Sequence, residues 1–313
     1  MTDLAIIIVT WNNEDIVLDA LQTLTDDLAQ STLTAKIIVV DSASSDNTVA
    51  NVRDHFPDVT VIASEKNLGF AGANNVGMQS LGFGKADVNV ASLPKAVYLI
   101  NPDTLTNQGA TQTLFDTLMA DEQVGVVGAR LTYGDGSHQH SSFMFPDLRQ
   151  LWVEFFPTPG RFIDSPFNGR YPIELYNGTT PFEVDFMLGA TMMLRREVIQ
   201  QVGMFDTQFF MYAEEVDWQW RIRDAGWQIR CVPKAHVVHL SGQSTSQAKP
   251  RSILNLWQSR LRLYDKHYAN WKNALARRMV AVGMNRKIKV AQQQHSARAI
   301  IDAYRQVREI ALS

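Results

Sequence analysis

The sequence predicts an α/β fold, a mostly parallel sheet flanked by helices, with a C-terminal helical extension. Three observations carry that expectation. Apolar, β-branched runs alternate with amphipathic segments over the first hundred residues, and such runs are how strands covered on both faces read. Polar residues follow these runs closely, as they do where parallel strands end at a ligand cleft. The 313 residues are 45% hydrophobic and 10% aromatic, which is enough for a full core and excludes a wholly disordered chain.

The elements follow in order. Leu4–Thr10 is a near-continuous apolar run and reads as a buried strand. Ile16, Val17, Ala20, Leu21, Leu24 and Leu28 mark one helical face over residues 14–30. Lys36–Val40 is a second strand ending at Asp41. Residues 46–55 form a short helix that Ser44, Ser45 or Asp46 can cap. Val59–Ala63 is a third strand, 71–81 a helix, and Ala96–Ile100 a fourth strand ending at Asn101-Pro102-Asp103. Six of the 11 prolines lie between Pro146 and Pro181, interleaved with aromatics, which reads as a folded cover without helical period rather than a linker. Glu183–Leu194 resumes a buried pattern, 196–202 reads as a helix, and 214–225 is a helix ended by Gly226. Trp227–Val232 is a strand. From Ser252, the positions Ile253, Trp257, Leu261, Tyr264 and Tyr268 repeat at helical spacing with Arg260, Arg262 and Lys266 between them. This is a basic amphipathic helix, with a second from about residue 272 to the end.

The net charge of −3 conceals an asymmetry. Residues 251–313 hold 13 Lys/Arg against 3 Asp/Glu, whereas residues 1–250 hold 16 against 29. An acidic body thus carries a basic tail, and no nucleic acid is expected as a partner. The tail reads as a solvated helical face, a contact with the lipid headgroups of an anionic membrane surface or with a phosphorylated acceptor, or a helical homodimer contact. The single cysteine, Cys231, excludes an intrachain disulfide framework and sits in an apolar run where it should be inert. No apolar run reaches the roughly 18 residues of a membrane-spanning helix. The acidic N-terminus is no signal peptide, so a cytoplasmic protein, peripheral on the inner face of the membrane, is expected.

Five clusters could carry chemistry. Thr10, Trp11, Asn12 and Asn13 follow the first strand, and Asp41 ends the second. Trp11 offers a stacking face and Asp41 an acceptor for a pyrimidine imide N–H, although both also suit an ordinary loop. Residues 66–77, with Asn67, Gly72 and Asn75, open a helix with small residues that let backbone N–H groups approach a phosphate. A tight strand-to-helix turn would look the same. Asp103 can hold a divalent ion on a diphosphate, or simply end a turn. Glu214, Glu215 and Asp217 open a helix behind an apolar aromatic run, so desolvation and like charge should raise a carboxyl toward general-base duty. Arg221 lies four residues after Asp217 and pairs with it, which makes Asp217 a scaffold residue. His236 and His239 point to opposite strand faces, so at most one joins a metal site. No G-x-S-x-G supports a Ser/His/Asp triad.

In this order the segments Ile8-Val9-Thr10-Trp11-Asn12, residues 40–46, residues 67–74, Asn101-Pro102-Asp103 and Glu214-Glu215-Val216-Asp217 resemble the family 2 inverting glycosyltransferases of GT-A fold. The likeness is closest to bacterial rhamnosyltransferases, and His239 with Gly242 and Ser244 completes it. It covers roughly residues 4–245 and implies a GT-A-type, Rossmann-like domain over 1–250. About 1–105 would form the nucleotide-binding half and 106–250 the acceptor and catalytic half, with the basic helical tail over 251–313. The resemblance implies that Thr10, Trp11, Asn12 and Asp41 hold the nucleotide of a dTDP- or UDP-linked sugar donor. Asn67, Gly72, Asn75 and Asn101 would line the diphosphate and sugar. Asp103 matches the last Asp of the family's D-x-D, with Asn101 in place of the first. A divalent cation, Mg²⁺ or Mn²⁺, would then rest on the diphosphate, Asp103 and His239. Glu215 stands at the family's Asp base, with Glu214 as the alternative, and Asp217, Trp218 and Arg221 support the acceptor side. The implied acceptor is a glycan or a polyprenyl-linked glycan of the cell envelope. Two rival readings are a decayed nucleotide-sugar-binding scaffold and a sugar nucleotidyltransferase; the acidic Asn12-Asn13-Glu14-Asp15 after strand one disfavours the latter.

Overall fold

The structure, a computed structural model, describes residues 2–240 and 249–313. Its first half is built as the sequence predicts. β1 (Leu4–Thr10), β2 (Ala35–Asp41), β3 (Thr60–Ala63) and β4 (Ala96–Ile100) are parallel neighbours in the order β3-β2-β1-β4. They alternate with α1 (Val17–Ala29), α2 (Thr48–His55) and α3 (Gly69–Ser80). Both faces of the sheet are covered, which is why its strands are apolar throughout. Leu4, Ile6 and Ile8 pack with Leu21 and Leu24 of α1 on one face; Ile7 packs with Ala73 and Met78 of α3 on the other.

The second half was less visible. β5 (Thr104–Thr106), α4 (Ala110–Ala120), β6 (Val124–Thr132), β7 (His138–Gln139) and β8 (Ser142–Phe143) lie where no elements were predicted. The proline-rich segment is not free of helix: it holds α5 (Leu148–Phe155), fixed by an Asp147/Gln150 capping box, and α6 (Ile173–Asn177). β9 (Phe182–Glu183), β10 (Phe186–Met187), β11 (Thr191–Arg195), α7 (Arg196–Val202), α8 (Glu214–Asp224) and β12 (Gln228–His239) follow. β11 runs antiparallel between β4 and β6, and β12 continues the sheet parallel to β6. β12 extends well past the predicted end at Val232. Its register shifts between Val232 and His236, a bulge that accommodates Pro233.

The C-terminal region forms three helices, not two: α9 (Lys249–His267), α10 (Asn270–Gln293) and α11 (Arg298–Leu312). α9 is no solvated arm. Its Trp257, Leu261 and Tyr264 are buried with Leu151 and Phe155 of α5, and with Val280 and Met284 of α10. Part of the basic excess faces inward, as Lys272 meets Asp147 at 3.0 Å and Lys287 meets Glu154 at 3.5 Å. α5 packs so closely on α10 that a Cβ on Gly283 would lie 2.2 Å from the Phe155 ring.

Candidate active site

The carboxyl ends of β1 and β4, the start of α3, the segment before β11, residues 210–215 and the start of α9 enclose one cleft of about 350 Å³. Of the sequence-predicted residues, Thr10, Trp11, Asn67, Asn101, Asp103, Glu214, Glu215 and His239 line it. Gly242 and Ser244 lie outside the described residues.

Glu214 and Glu215 open α8, and Glu214 is buried. One oxygen of each, Oε2, is buried and makes no hydrogen bond among the described residues. Burial and the neighbouring Glu215 push the Glu214 carboxyl well above the usual glutamate range; burial likewise raises Glu215. Two adjacent carboxyls that resist ionising together suit proton transfer. The loop before them is strained, because Tyr212 and Ala213 both adopt left-handed backbone (φ 71° and 62°). Conformations of that kind cost about 1–3 kcal/mol each unless the surroundings fix them. α9 supplies the fixing. Ser259 donates to the Met211 carbonyl at 2.8 Å, Ser252 hydrogen-bonds the Tyr212 hydroxyl, and Lys266 meets Asp206 at 2.9 Å. On the other side, the Phe70 N–H donates to the Phe210 carbonyl at 3.1 Å. That oxygen would lie 2.1 Å from a Cβ at Gly69, where φ is +67°, so only glycine fits.

Asp103 and His239 meet at 3.3 Å, both nearly buried. The His239 Nδ1 faces Gln139 Oε1 at 3.2 Å. With its proton on Nδ1, His239 donates there and turns the Nε2 lone pair toward Asp103. Two acceptor atoms so close are stabilised by a cation between or beside them. No group of three His, Cys, Asp or Glu side chains with metal-ligand geometry occurs among the described residues. In that tautomer Asp103 and His239 can supply two ligands to a cation, and a bound ligand or water would have to supply the rest. The lining also holds one guanidinium, Arg251, beside the carboxyls Asp103, Glu214 and Glu215.

Other predicted residues act one step back. Asp41, buried, accepts from the Thr10 hydroxyl at 2.9 Å and the Ser44 N–H at 2.9 Å. Asn12, at φ 52°, accepts from the Ser45 N–H at 2.8 Å, so it ties the two strand-end loops together. Gly72 and Asn75 do not line the cleft. Asn75 gives both ends of its amide to the Phe205 backbone. The phosphate cradle expected at α3 is also altered. The Leu68, Gly69 and Phe70 N–H groups already reach Ser42, Asn67 and Phe210. Asp217 pairs with Arg221 as expected, at 3.0 Å, but also with Lys266 at 2.9 Å and His267 at 2.8 Å from α9. Trp218 is buried and donates to the Gly203 carbonyl at 2.8 Å. His236 faces away from His239 and bonds Asn107 and Thr132. Cys231 is buried, and burial pushes its thiol up to about 12. Sequence reasoning took Phe210 and Tyr212 only as the apolar run before the glutamates and missed Leu188, Gly189, Arg251 and Asn255, which line the cleft through long-range packing.

Residues 5–203 match the model of a protein family described as "Glycosyl transferase family 2". The chain belongs to glycosyl transferase family 2. Its relatives include an N-acetylglucosaminyl-diphospho-decaprenol L-rhamnosyltransferase of Mycobacterium tuberculosis, 28% identical over 247 residues that span 76% of this chain and 78% of that protein. Solved structures of similar fold include GalNAc-T7 with UDP, GalNAc and Mn²⁺ (TM-score 0.60, 14% identity, all of this chain and 55% of that one). They also include the Pyrobaculum calidifontis mannosyltransferase PcManGT with GDP-Man and Mn²⁺ (TM-score 0.55, 16% identity, 99% of this chain and 84% of that one). The expected GT-A arrangement is therefore the observed one. The family 2 match ends before α8, so both carboxylates and His239 lie beyond it.

Proposed function

We propose that this glycosyltransferase moves rhamnose from dTDP-rhamnose to a hydroxyl of a lipid-linked glycan, with inversion, in cell-envelope polysaccharide synthesis. The observation that carries the reading is the buried Glu214–Glu215 pair facing the same cleft as Asp103 and His239. The relative of printed rhamnosyltransferase activity supports the choice of sugar and of a lipid-diphosphate acceptor. A UDP-linked hexose is the other donor class that this reading allows.

In this reading Trp11 stacks on the base, and Asp41 holds Thr10 and the loop after β2 in place for it. Glu215, with Glu214 as its alternative, takes the proton from the acceptor hydroxyl. That oxygen attacks the anomeric carbon from the face opposite the nucleotide, and the bond to the diphosphate breaks. Asp103 and His239 would hold a divalent cation, which neutralises charge on the departing diphosphate when bound. Arg251 adds a positive side chain on the same wall. Positioned proton transfer contributes about 10²–10⁴-fold. Glu215→Gln should therefore keep nucleotide affinity while cutting rhamnosyl transfer to a GlcNAc-diphospho-polyprenol by at least about 10²-fold. Near-wild-type turnover refutes the base assignment; transfer from a UDP-hexose but not from dTDP-rhamnose refutes the donor.

A further inference from the structure

α10 carries a face that the fold leaves uncovered. The helix has six Lys/Arg and no Asp or Glu among its 24 residues. Its buried side, with Ala276, Val280 and Met284, packs inward. Lys272, Arg277 and Lys287 turn toward Asp147, Asp265 and Glu154. The opposite stripe is Trp271, Leu275, Arg278, Val282, Arg286 and Lys289, all exposed, with Trp271 at 69%. Steps of three and four residues keep these six side chains within about 120° of the helix circumference. Arg278 and Lys289 make no ion pair among the described residues, and Arg286 lies 5.6 Å over the Phe156 ring. Phe156 in turn packs against Trp152, which is 49% exposed.

Large apolar side chains interleaved with free cations, with an aromatic anchor at one end, match the chemistry of an anionic bilayer surface. Tryptophan sits at the headgroup level, while arginine and lysine lay their stems on apolar groups and reach phosphates. A second copy of the chain is a poor occupant: mirrored faces would set Arg278, Arg286 and Lys289 of each copy together with no acid between them. No helix among the described residues is long and apolar enough to cross a bilayer.

We propose that the outward face of α10 docks the enzyme on an anionic phospholipid surface. The test is co-sedimentation of the full chain with phosphatidylglycerol–phosphatidylcholine vesicles and with pure phosphatidylcholine vesicles. The wild type should pellet with the former, weakly with the latter, and less as salt rises. The triple variant Arg278→Gln, Arg286→Gln, Lys289→Gln should lose about 100-fold in partitioning, from about 1 kcal/mol per cation. Trp271→Phe should remove a blue shift of emission on vesicle addition. Unchanged thermal melting of both variants shows that they fold. Equal pelleting of wild type and triple variant overturns the proposal. So does a concentration-dependent dimer in sedimentation velocity that the triple variant abolishes while vesicle binding is absent.

Discussion

Asp217→Asn tests how the C-terminal helices hold the active site. Asp217 has no exposed surface, and it joins α8, the helix of the two glutamates, to α9. Burial alone would raise its carboxyl. Hydrogen bonds from His267 and Lys266 and the Arg221 charge outweigh that and hold it at about 2, against an ordinary 3.8. At about 1.4 kcal/mol per pH decade, that difference contributes about 2 kcal/mol at neutral pH. Asparagine keeps the shape but leaves the cations around it uncompensated, for which buried pairs give about 3–5 kcal/mol. Lys266 is a third exposed and retains Asp206, so the lower end applies, about 2–3 kcal/mol. The measurement is denaturant unfolding of both proteins, comparing midpoints at equal slope. Because the folded carboxyl titrates lower than the unfolded one, its contribution is full above the unfolded value and fades as pH falls. The gap between the proteins should be constant from pH 6 to 8 and shrink to about half at pH 3. A gap below about 0.5 kcal/mol at neutral pH, or one undiminished at pH 3, would refute the reasoning.

Three other outcomes follow from the same geometry. Glu214→Gln should stabilise the protein more at pH 8 than at pH 5. The raised carboxyl binds its proton more tightly folded than unfolded, so stability falls as pH rises; thermal melts whose gap narrows with rising pH would contradict this. Asp103→Ala should abolish the gain in nucleotide affinity on adding Mn²⁺, read by calorimetry; an unchanged gain would move the cation elsewhere. Gly283→Ala adds a Cβ 2.2 Å from Phe155. Overpacking of about 1–3 kcal/mol should exceed the roughly 1 kcal/mol gained in helix propensity, and a raised melting temperature would disprove it.

Much of the first hundred residues was legible because their strands are buried on both faces. Leu4–Thr10 and Ala96–Ile100 form where the pattern puts them. Other elements hid for physical reasons. Pro233 looks like a strand end, yet a bulge lets β12 run on and carry His239 to Asp103. α5 was missed under its prolines, although Asp147 and Gln150 spell a capping box. The cleft residues Thr10, Asp103 and Glu215 were readable from their positions at element ends. Asn75 was not, because its role rests on a backbone 130 positions away in the chain. Arg251 and Asn255 read as one end of a solvated basic helix, and only tertiary packing turns them inward.

The wall that α9 contributes has a consequence for synthesis. A chain released early, after Val202 say, already holds the four parallel strands and the shelf beside Trp11. It lacks both glutamates, the imidazole opposite Asp103, and the serines that brace residues 211 and 212. Such a product would keep the shelf proposed for the nucleotide and lack the carboxyls proposed to deprotonate an acceptor. On the proposed mechanism, transfer needs the last fifth of the polypeptide too, because its α9 braces residues 211 and 212 ahead of both glutamates.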